Sequence, residues 1–263
     1  MAGPQPPVIV GMTTLPSRIG MIRPAIDSLL HNTRKPDRII LTVPRRPLRG
    51  NGTVSIPDFL SGPGYRDSVT VNLIDEDCGP GSKLLGCLNY ITSPSVIILA
   101  DDDMDYRDCL IERLYTAQLA APRKSFSFYA YRFRGMTVGQ GADGFSFRSE
   151  NLTGIDAFYR DHVKGRDLVF HDDLWISYFL LRQGVEIEAL PVPTPYDLIY
   201  RTVHSQDALK DLEGELNRDR LAAEGLRHLR QSAPLPRSAE YRLTLQAFAD
   251  RAVKKIRHIA GHG

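Results

Sequence analysis

Val96-Ile97-Ile98-Leu99-Ala100-Asp101-Asp102-Asp103-Met104-Asp105 runs an apolar segment straight into three adjacent carboxylates, with a fourth at Asp105. A short continuous apolar run bounded by polar residues suits a strand covered on both faces, as in a parallel sheet. Open α/β folds place ligands beyond the carboxyl ends of such strands. Carboxylates crowded there repel one another, and a cation relieves the repulsion. Hard oxygen donors favour Mg2+ or Mn2+ over softer metals. In an extended segment Asp101 and Asp103 project to one side and Asp102 to the other. The expectation is a D-x-D grip on a metal bound to a phosphate.

Working outward, the chain reads as repeated strand–helix units. Val8-Ile9-Val10-Gly11-Met12 is a first buried strand. It enters the polar loop Thr13-Thr14-Leu15-Pro16-Ser17-Arg18, then a helix with Ile22, Ile26, Leu29 and Leu30 on one face. Pro24 fits that helix only within its first turn. Ile39 to Val43, ended by Pro44, is a second strand, and residues 45–67, rich in Arg, Pro and Gly, form a long irregular excursion. Val69 to Ile74 is a third strand that ends in Asp75, Glu76 and Asp77. Gly79-Pro80-Gly81-Ser82-Lys83 is a turn in which Ser82 is placed to cap a helix bearing Leu84, Leu85, Leu88 and Ile91. This alternation predicts a doubly wound, mostly parallel α/β sheet.

Beyond Asp105 the spacing predicts a helix with Leu110, Leu114 and Leu119, an aromatic alternating strand over 125–134, and a glycine-rich loop over 135–144. Phe145-Ser146-Phe147 resumes a short strand. His171-Asp172-Asp173 opens a helix carrying Leu174, Trp175, Tyr178, Phe179 and Leu181, closed by Gly184 before a short strand over 185–190. The remainder reads as peripheral helices, with Leu209, Leu212, Leu216, Leu226 and Leu229 in one amphipathic pattern. A last helix near 239–259 is basic through Arg251, Lys254, Lys255 and Arg257. A solvated face is the plain reading of that charge; peripheral contact with an anionic membrane surface is the sharper one.

With 263 residues, 42% apolar and 24% charged, the chain has the composition of an ordinary soluble protein large enough for one α/β domain with an appendage. A formal net charge of +2 makes no case for nucleic acid as a partner. The cysteines Cys78, Cys87 and Cys109 share no zinc-type spacing and cannot pair evenly, which suggests a reducing compartment. No signal-peptide pattern opens the chain, and no apolar run approaches the roughly 20 residues of a membrane span. The expected location is cytoplasmic, with the basic last helix offering attachment to the inner face of the membrane.

An apolar strand ending in D-x-D, preceded by an acidic strand end and a G-x-x-K helix start and followed about 70 residues later by Asp172-Asp173, resembles the GT-A glycosyltransferases, particularly bacterial family-2-like enzymes that use nucleotide sugars. The resemblance spans about residues 8–205. It implies a GT-A (Rossmann-like) catalytic domain over 1–205, with a nucleotide-binding half to about 105 and an acceptor half over 106–205. A C-terminal helical extension would occupy 206–263.

In such enzymes the first loop cradles the nucleotide, which implies contacts from Thr14, Pro16 and Arg18; a guanidinium forks well onto paired oxygens. The acid ending the third strand holds the nucleobase, which points to Asp75 or Asp77, and an acid that accepts an imide N–H favours uracil, hence a UDP-sugar donor. Lys83 at a helix start suits the diphosphate. Asp101 would meet ribose or metal, Asp102 the fold or the sugar, and Asp103 the metal, Mn2+ or Mg2+. His204 falls where many of these enzymes supply a metal-binding histidine. Asp172 or Asp173, with a lean to Asp173, would be the base that activates a hydroxyl acceptor on a glycan or glycolipid. In the loop over 139–144, Asp143 is placed to accept hydrogen bonds from sugar hydroxyls. The aromatic run 126–133 and Trp175 either stack sugars or fill the core.

Each role has a plainer alternative. Thr14 and Arg18 then cap a helix, Asp77 is a turn residue, Lys83 lies on the surface, Asp172 and Asp173 form a capping pair, and His204 is incidental. The resemblance implies inversion by single displacement, with retention the nearest rival. A sugar-1-phosphate nucleotidyltransferase would need a glycine-rich basic first loop, for which Gly11-Met12-Thr13-Thr14-Leu15-Pro16 is a poor substitute. A pure binding module would have no use for a second acidic pair.

Overall fold

The computed structural model describes residues 5–50, 52–204, 215–241 and 243–244. Its first half runs β1 (Val8–Thr13), α1 (Arg23–Leu30), β2 (Arg38–Pro44), β3 (Val69–Ile74), α2 (Ser82–Leu88), β4 (Val96–Asp101) and β5 (Met104–Tyr106). Then follow α3 (Leu110–Ala120), β6 (Lys124–Ser127), β7 (Ala130–Phe133), β8 (Met136–Gly139), β9 (Phe145–Arg148), α4 (Ile155–His162) and α5 (Asp172–Arg182). The last elements are β10 (Glu186–Ala189), β11 (Tyr200–Thr202) and α6 (Glu215–Ser232).

Seven strands form one sheet in the order β10-β6-β9-β4-β1-β2-β3. All pairings are parallel except those of β9, which runs antiparallel to both β4 and β6. The doubly wound, mostly parallel α/β sheet expected from the strand–helix alternation is therefore present. Alternate residues of β4 serve opposite faces. Val96, Ile98 and Ala100 join Val8, Val10 and Met12 in a core with Ile26, Leu29, Leu110 and Leu114. Ile97 and Leu99 join Phe145 and Phe147 in a second core with Phe158, Trp175 and Tyr178. Each fully buried aliphatic side chain contributes about 1.5–3 kcal/mol, so the register Thr13↔Asp101 that ends both strands on one rim is firmly held.

Two glycines let α2 lie directly on the sheet. A Cβ on Gly11 would sit 2.3 Å from the Lys83 carbonyl oxygen, and one on Gly86 would sit 2.0 Å from Thr42 Oγ1. That close approach carries Lys83 to the rim.

Several expectations are corrected. The aromatic run 125–134 is not one strand: β6 belongs to the main sheet, while β7 pairs with β8 in a separate hairpin. The segment 135–144 is correspondingly not all loop, because β8 occupies its middle. Ser82 makes no capping bond to α2; its hydroxyl accepts from Cys78 N–H at 3.0 Å and donates to Asp77 at 3.3 Å, closing the preceding turn. Pro24 does lie in the first turn of α1, and Gly184, at φ 76°, does end α5 in the left-handed region.

The helix α6 is not a loose appendage. Leu226, Leu229 and Ala233 are buried in the second core, and Tyr178 Oη donates to the Ala233 carbonyl at 2.9 Å. Leu209, Leu212 and the basic residues of the last expected helix, Arg251, Lys254, Lys255 and Arg257, lie outside the described residues. No described helix is long and apolar enough to cross a membrane. All three cysteines are free thiols.

Candidate active site

A cavity of about 610 Å³ opens at the carboxyl ends of β1 and β4. Thr14, Arg18, Asp77, Lys83, Asp101, Asp102, Asp103, Asp172, Asp173 and His204 all line it. Pro16, Asp75 and Asp143 do not. Pro16 is buried against the excursion, where Gly52 packs on it. Asp75 is largely exposed, with an ion pair to Arg45 at 3.4 Å. Asp143 is buried behind the wall to which its neighbours Gln140 and Ala142 contribute.

The three carboxylates divide differently from the alternation expected of an extended chain. β4 ends at Asp101, and Asp102 and Asp103 form a two-residue turn into β5, so strand geometry no longer governs them. Asp101 accepts from Lys83 Nζ at 2.7 Å. Asp102 and Asp103 instead share one guanidinium: Arg18 Nη2 bonds Asp102 Oδ1 and lies 2.9 Å from Asp103 Oδ2. Thr14 Oγ1 donates to the other oxygen of Asp102. Burial still pushes Asp102 up to about 6, with Arg18 and Thr14 pulling the other way. Thr14 and Arg18 therefore do not cap α1: both point at the acidic turn.

Lys83 is buried, not on the surface, and also lies 3.1 Å from Asp172 Oδ2. Burial alone would depress its pKa, but Asp101, Asp172 and Asp173 together hold it well above the ordinary lysine value. Asp172 and Asp173 occupy the first turn of α5, whose N-terminus they complement electrostatically without forming a side-chain cap. Asp172 Oδ2 makes a charge pair with Lys83 but no aligned hydrogen bond. Asp173 accepts from Gly141 N–H at 2.9 Å. Burial first, and the neighbouring Asp172 second, raise Asp173 well above the usual carboxylate range. Asp143, also buried, is pushed up to about 6, with Asp101 adding to the effect.

Asp77 is consumed by the backbone. Leu48 N–H and Gly79 N–H each donate to it at 2.7 Å, and Ser82 Oγ at 3.3 Å. The excursion is thereby tied to the α2 turn, and its Arg49 reaches the cavity. Asp77 thus fits the turn-residue alternative while still lining the cavity, and Asp75 lies away from it. Trp175 is fully buried, a core residue and not a sugar platform.

His204 is delivered by the small ladder in which β11 pairs antiparallel with β5, Thr202 opposite Met104, and by Val203 N–H donating to the Asp103 carbonyl at 2.7 Å. Neither ring nitrogen of His204 has a hydrogen-bond partner. Burial and Arg18 lower its pKa, against a pull from Asp103. Among the described residues no His, Cys, Asp or Glu trio is already gathered as a metal cage. The donor chemistry is nonetheless suited to Mn2+ or Mg2+: carboxylate oxygens at the turn, and beside them a neutral imidazole with both nitrogens unspent.

Two further elements contribute to the cavity wall. Tyr131 and Phe133 come from β7, and Arg218, Asp219 and Ala222 from α6. The aromatic alternation over 126–133 marked the first two; the amphipathic leucines of α6 gave no sign that its polar face turns to a site.

The chain matches no family model, and no curated protein matches it. Among solved structures it is similar to the mannosyltransferase PcManGT from Pyrobaculum calidifontis, in complex with GDP-Man and Mn2+, at 13% identity and a TM-score of 0.54. The similarity covers 96% of this chain and 87% of that one. The chain thus has the Rossmann-like fold of a glycosyltransferase.

Proposed function

We propose that the protein is a metal-dependent glycosyltransferase that moves a sugar from a nucleotide-sugar donor to a hydroxyl acceptor with inversion. The observation that carries this reading is the single cavity into which Lys83, the Asp101–Asp103 turn and the Asp172-Asp173 pair all open. Thr14 and Arg18 would grip the nucleotide. Arg18 and Lys83 are buried cations that would meet the negative charge gathering on the departing diphosphate. Asp101, Asp103 and His204 would hold the metal, which when bound supplies further neutralisation of that charge.

Asp173 is the better base. Its raised proton affinity suits a group that must take a hydroxyl proton near neutral pH, and Gly141 N–H fixes its orientation. Asp172, already facing Lys83, would sustain that affinity through its charge. Asp143 would buttress the Gly141 turn from behind instead of touching the sugar. The donor is proposed as a UDP-sugar. A GDP-sugar is the second reading, favoured by the GDP-Man bound to the similar mannosyltransferase. The acceptor is taken to be a glycan or glycolipid in the cytoplasm.

Thermal shift with UDP, GDP, UDP-glucose and GDP-mannose, each in Mn2+ and in EDTA, tests the proposal. Stabilisation by a diphosphate only with Mn2+ is expected; equal stabilisation in EDTA would remove the metal bridge. NMR of the transferred anomeric centre reads inversion, and a retained configuration removes Asp173 as base.

A further inference from the structure

Tyr129, just before β7, and Tyr131, within it, have ring centroids 6.1 Å apart and planes 28° from parallel. They are 52% and 37% exposed, whereas nearly every other aromatic of that region is buried. Among the described residues Tyr241 is the other strongly exposed ring, and it has no stacked neighbour at hand, so an exposed aromatic pair stands out here.

The inner ring belongs to the cavity. Tyr131 lines it together with Arg218 and Asp219 across from it on α6. Burial, Asp173, Asp172 and Asp219 push the Tyr131 hydroxyl up to about 12 while Arg218 opposes them, so the ring stands among these charges. Among the described residues Arg218 makes no ion pair, leaving its guanidinium available to a ligand. The wall therefore alternates a flat apolar surface with polar groups. That is the complement of a pyranose, whose C–H face is apolar and whose edge carries hydroxyls. A lipid tail would need an unbroken apolar channel, which Arg218 and Asp219 interrupt.

Resting on the glycosyltransferase reading, we propose that the acceptor is an oligosaccharide. Its terminal ring stacks on Tyr131, with a hydroxyl directed to Asp173 and an edge held by Arg218 and Asp219. The next ring lies on Tyr129, outside the cavity.

The experiment is saturation-transfer NMR on the full chain with maltose, cellobiose, lactose and α-1,2-mannobiose, beside the methyl glycosides of their terminal sugars and dodecyl phosphate. At least one disaccharide is expected to bind, and more tightly than its monosaccharide. Tyr131→Leu should weaken that binding about tenfold, while Tyr131→Phe, which keeps the ring, stays near the original. Tyr129→Leu should erase the disaccharide's advantage without touching the monosaccharide. Failure of all four disaccharides, binding of dodecyl phosphate alone, or unchanged affinity in Tyr131→Leu overturns the subsite. Nucleotide-sugar stabilisation on the same samples separates the two ideas. Nucleotide binding with an unaffected Tyr131→Leu sinks the subsite alone, and disaccharide binding without any nucleotide response sinks the transfer reading.

Discussion

Lys83 Nζ sits 2.7 Å from Asp101 Oδ1, at the bottom of a cavity whose acids would otherwise face one another unscreened. Asp172, 3.1 Å away on α5, completes the arrangement, so one buried ammonium links the end of β4 to the first turn of α5. Removing that charge strands buried carboxylates, and such losses cost about 3–5 kcal/mol. Lys83→Met should therefore lower unfolding free energy by that order at pH 7 in urea titrations.

Asp172 raises the proton affinity of Asp173, and this has a kinetic signature. Replacing Asp172 by Asn removes the neighbouring negative charge and lowers the pKa of Asp173. The acidic limb of the transfer rate, where the base is lost, should then move to lower pH. Asp173→Asn should abolish the limb and cost about 10²–10⁴-fold in rate, with nucleotide affinity retained. The profile of kcat/KM against pH checks both, and an unmoved limb in Asp172→Asn would show that Asp173 is not the titrating base.

Asp103 and His204 are joined through the β5–β11 ladder, so their removal should act on the same ligand. Asp103→Ala and His204→Ala are each expected to abolish most of the Mn2+-dependent part of nucleotide stabilisation and to leave the EDTA baseline. Calorimetry with MnCl2 and UDP or GDP measures it. Full Mn2+ dependence in both variants would transfer the metal to other residues.

Asp143 gives a stability prediction of definite sign. Its folded pKa of about 6 lies above the ordinary 3.8, so the folded state prefers the neutral acid. The penalty for charging it is absent below about pH 4, grows between there and pH 6, and is fully present above. Asp143→Asn should raise the melting temperature at pH 8 by a few degrees and leave it unchanged at pH 4. A scanning-calorimetry series across that window decides it.

Much of this was legible in the chain because hydrophobic burial fixes strands more strictly than polar chemistry fixes roles. The apolar runs at Val8, Ile39 and Val96 each became a buried strand of the parallel sheet, which leaves them no other environment, and the run at Val69 became its half-buried edge strand. The acidic turn was harder. Alternation predicts sides only while the chain stays extended, and Asp102 and Asp103 lie just past that limit, where Arg18 gathers them. Ser82 had the sequence of a helix cap, yet the Cys78 N–H claimed its hydroxyl first, and Asp77 is tied to backbone N–H groups of two separate segments. Tyr131 and Arg218 meet at the cavity across 87 residues of chain, a proximity that no local pattern encodes.

The packing of α6 has a consequence for the order in which the protein becomes competent. A growing chain that has passed β11 to His204 already holds Lys83, the Asp101–Asp103 turn and the Asp172-Asp173 pair. It still lacks the helix whose Gly225 fits against Leu168 and whose Arg218 and Asp219 complete the cavity wall. During synthesis the site would thus be chemically furnished but open, and it would be sealed only when the segment through Ala233 arrives to receive the hydroxyl of Tyr178.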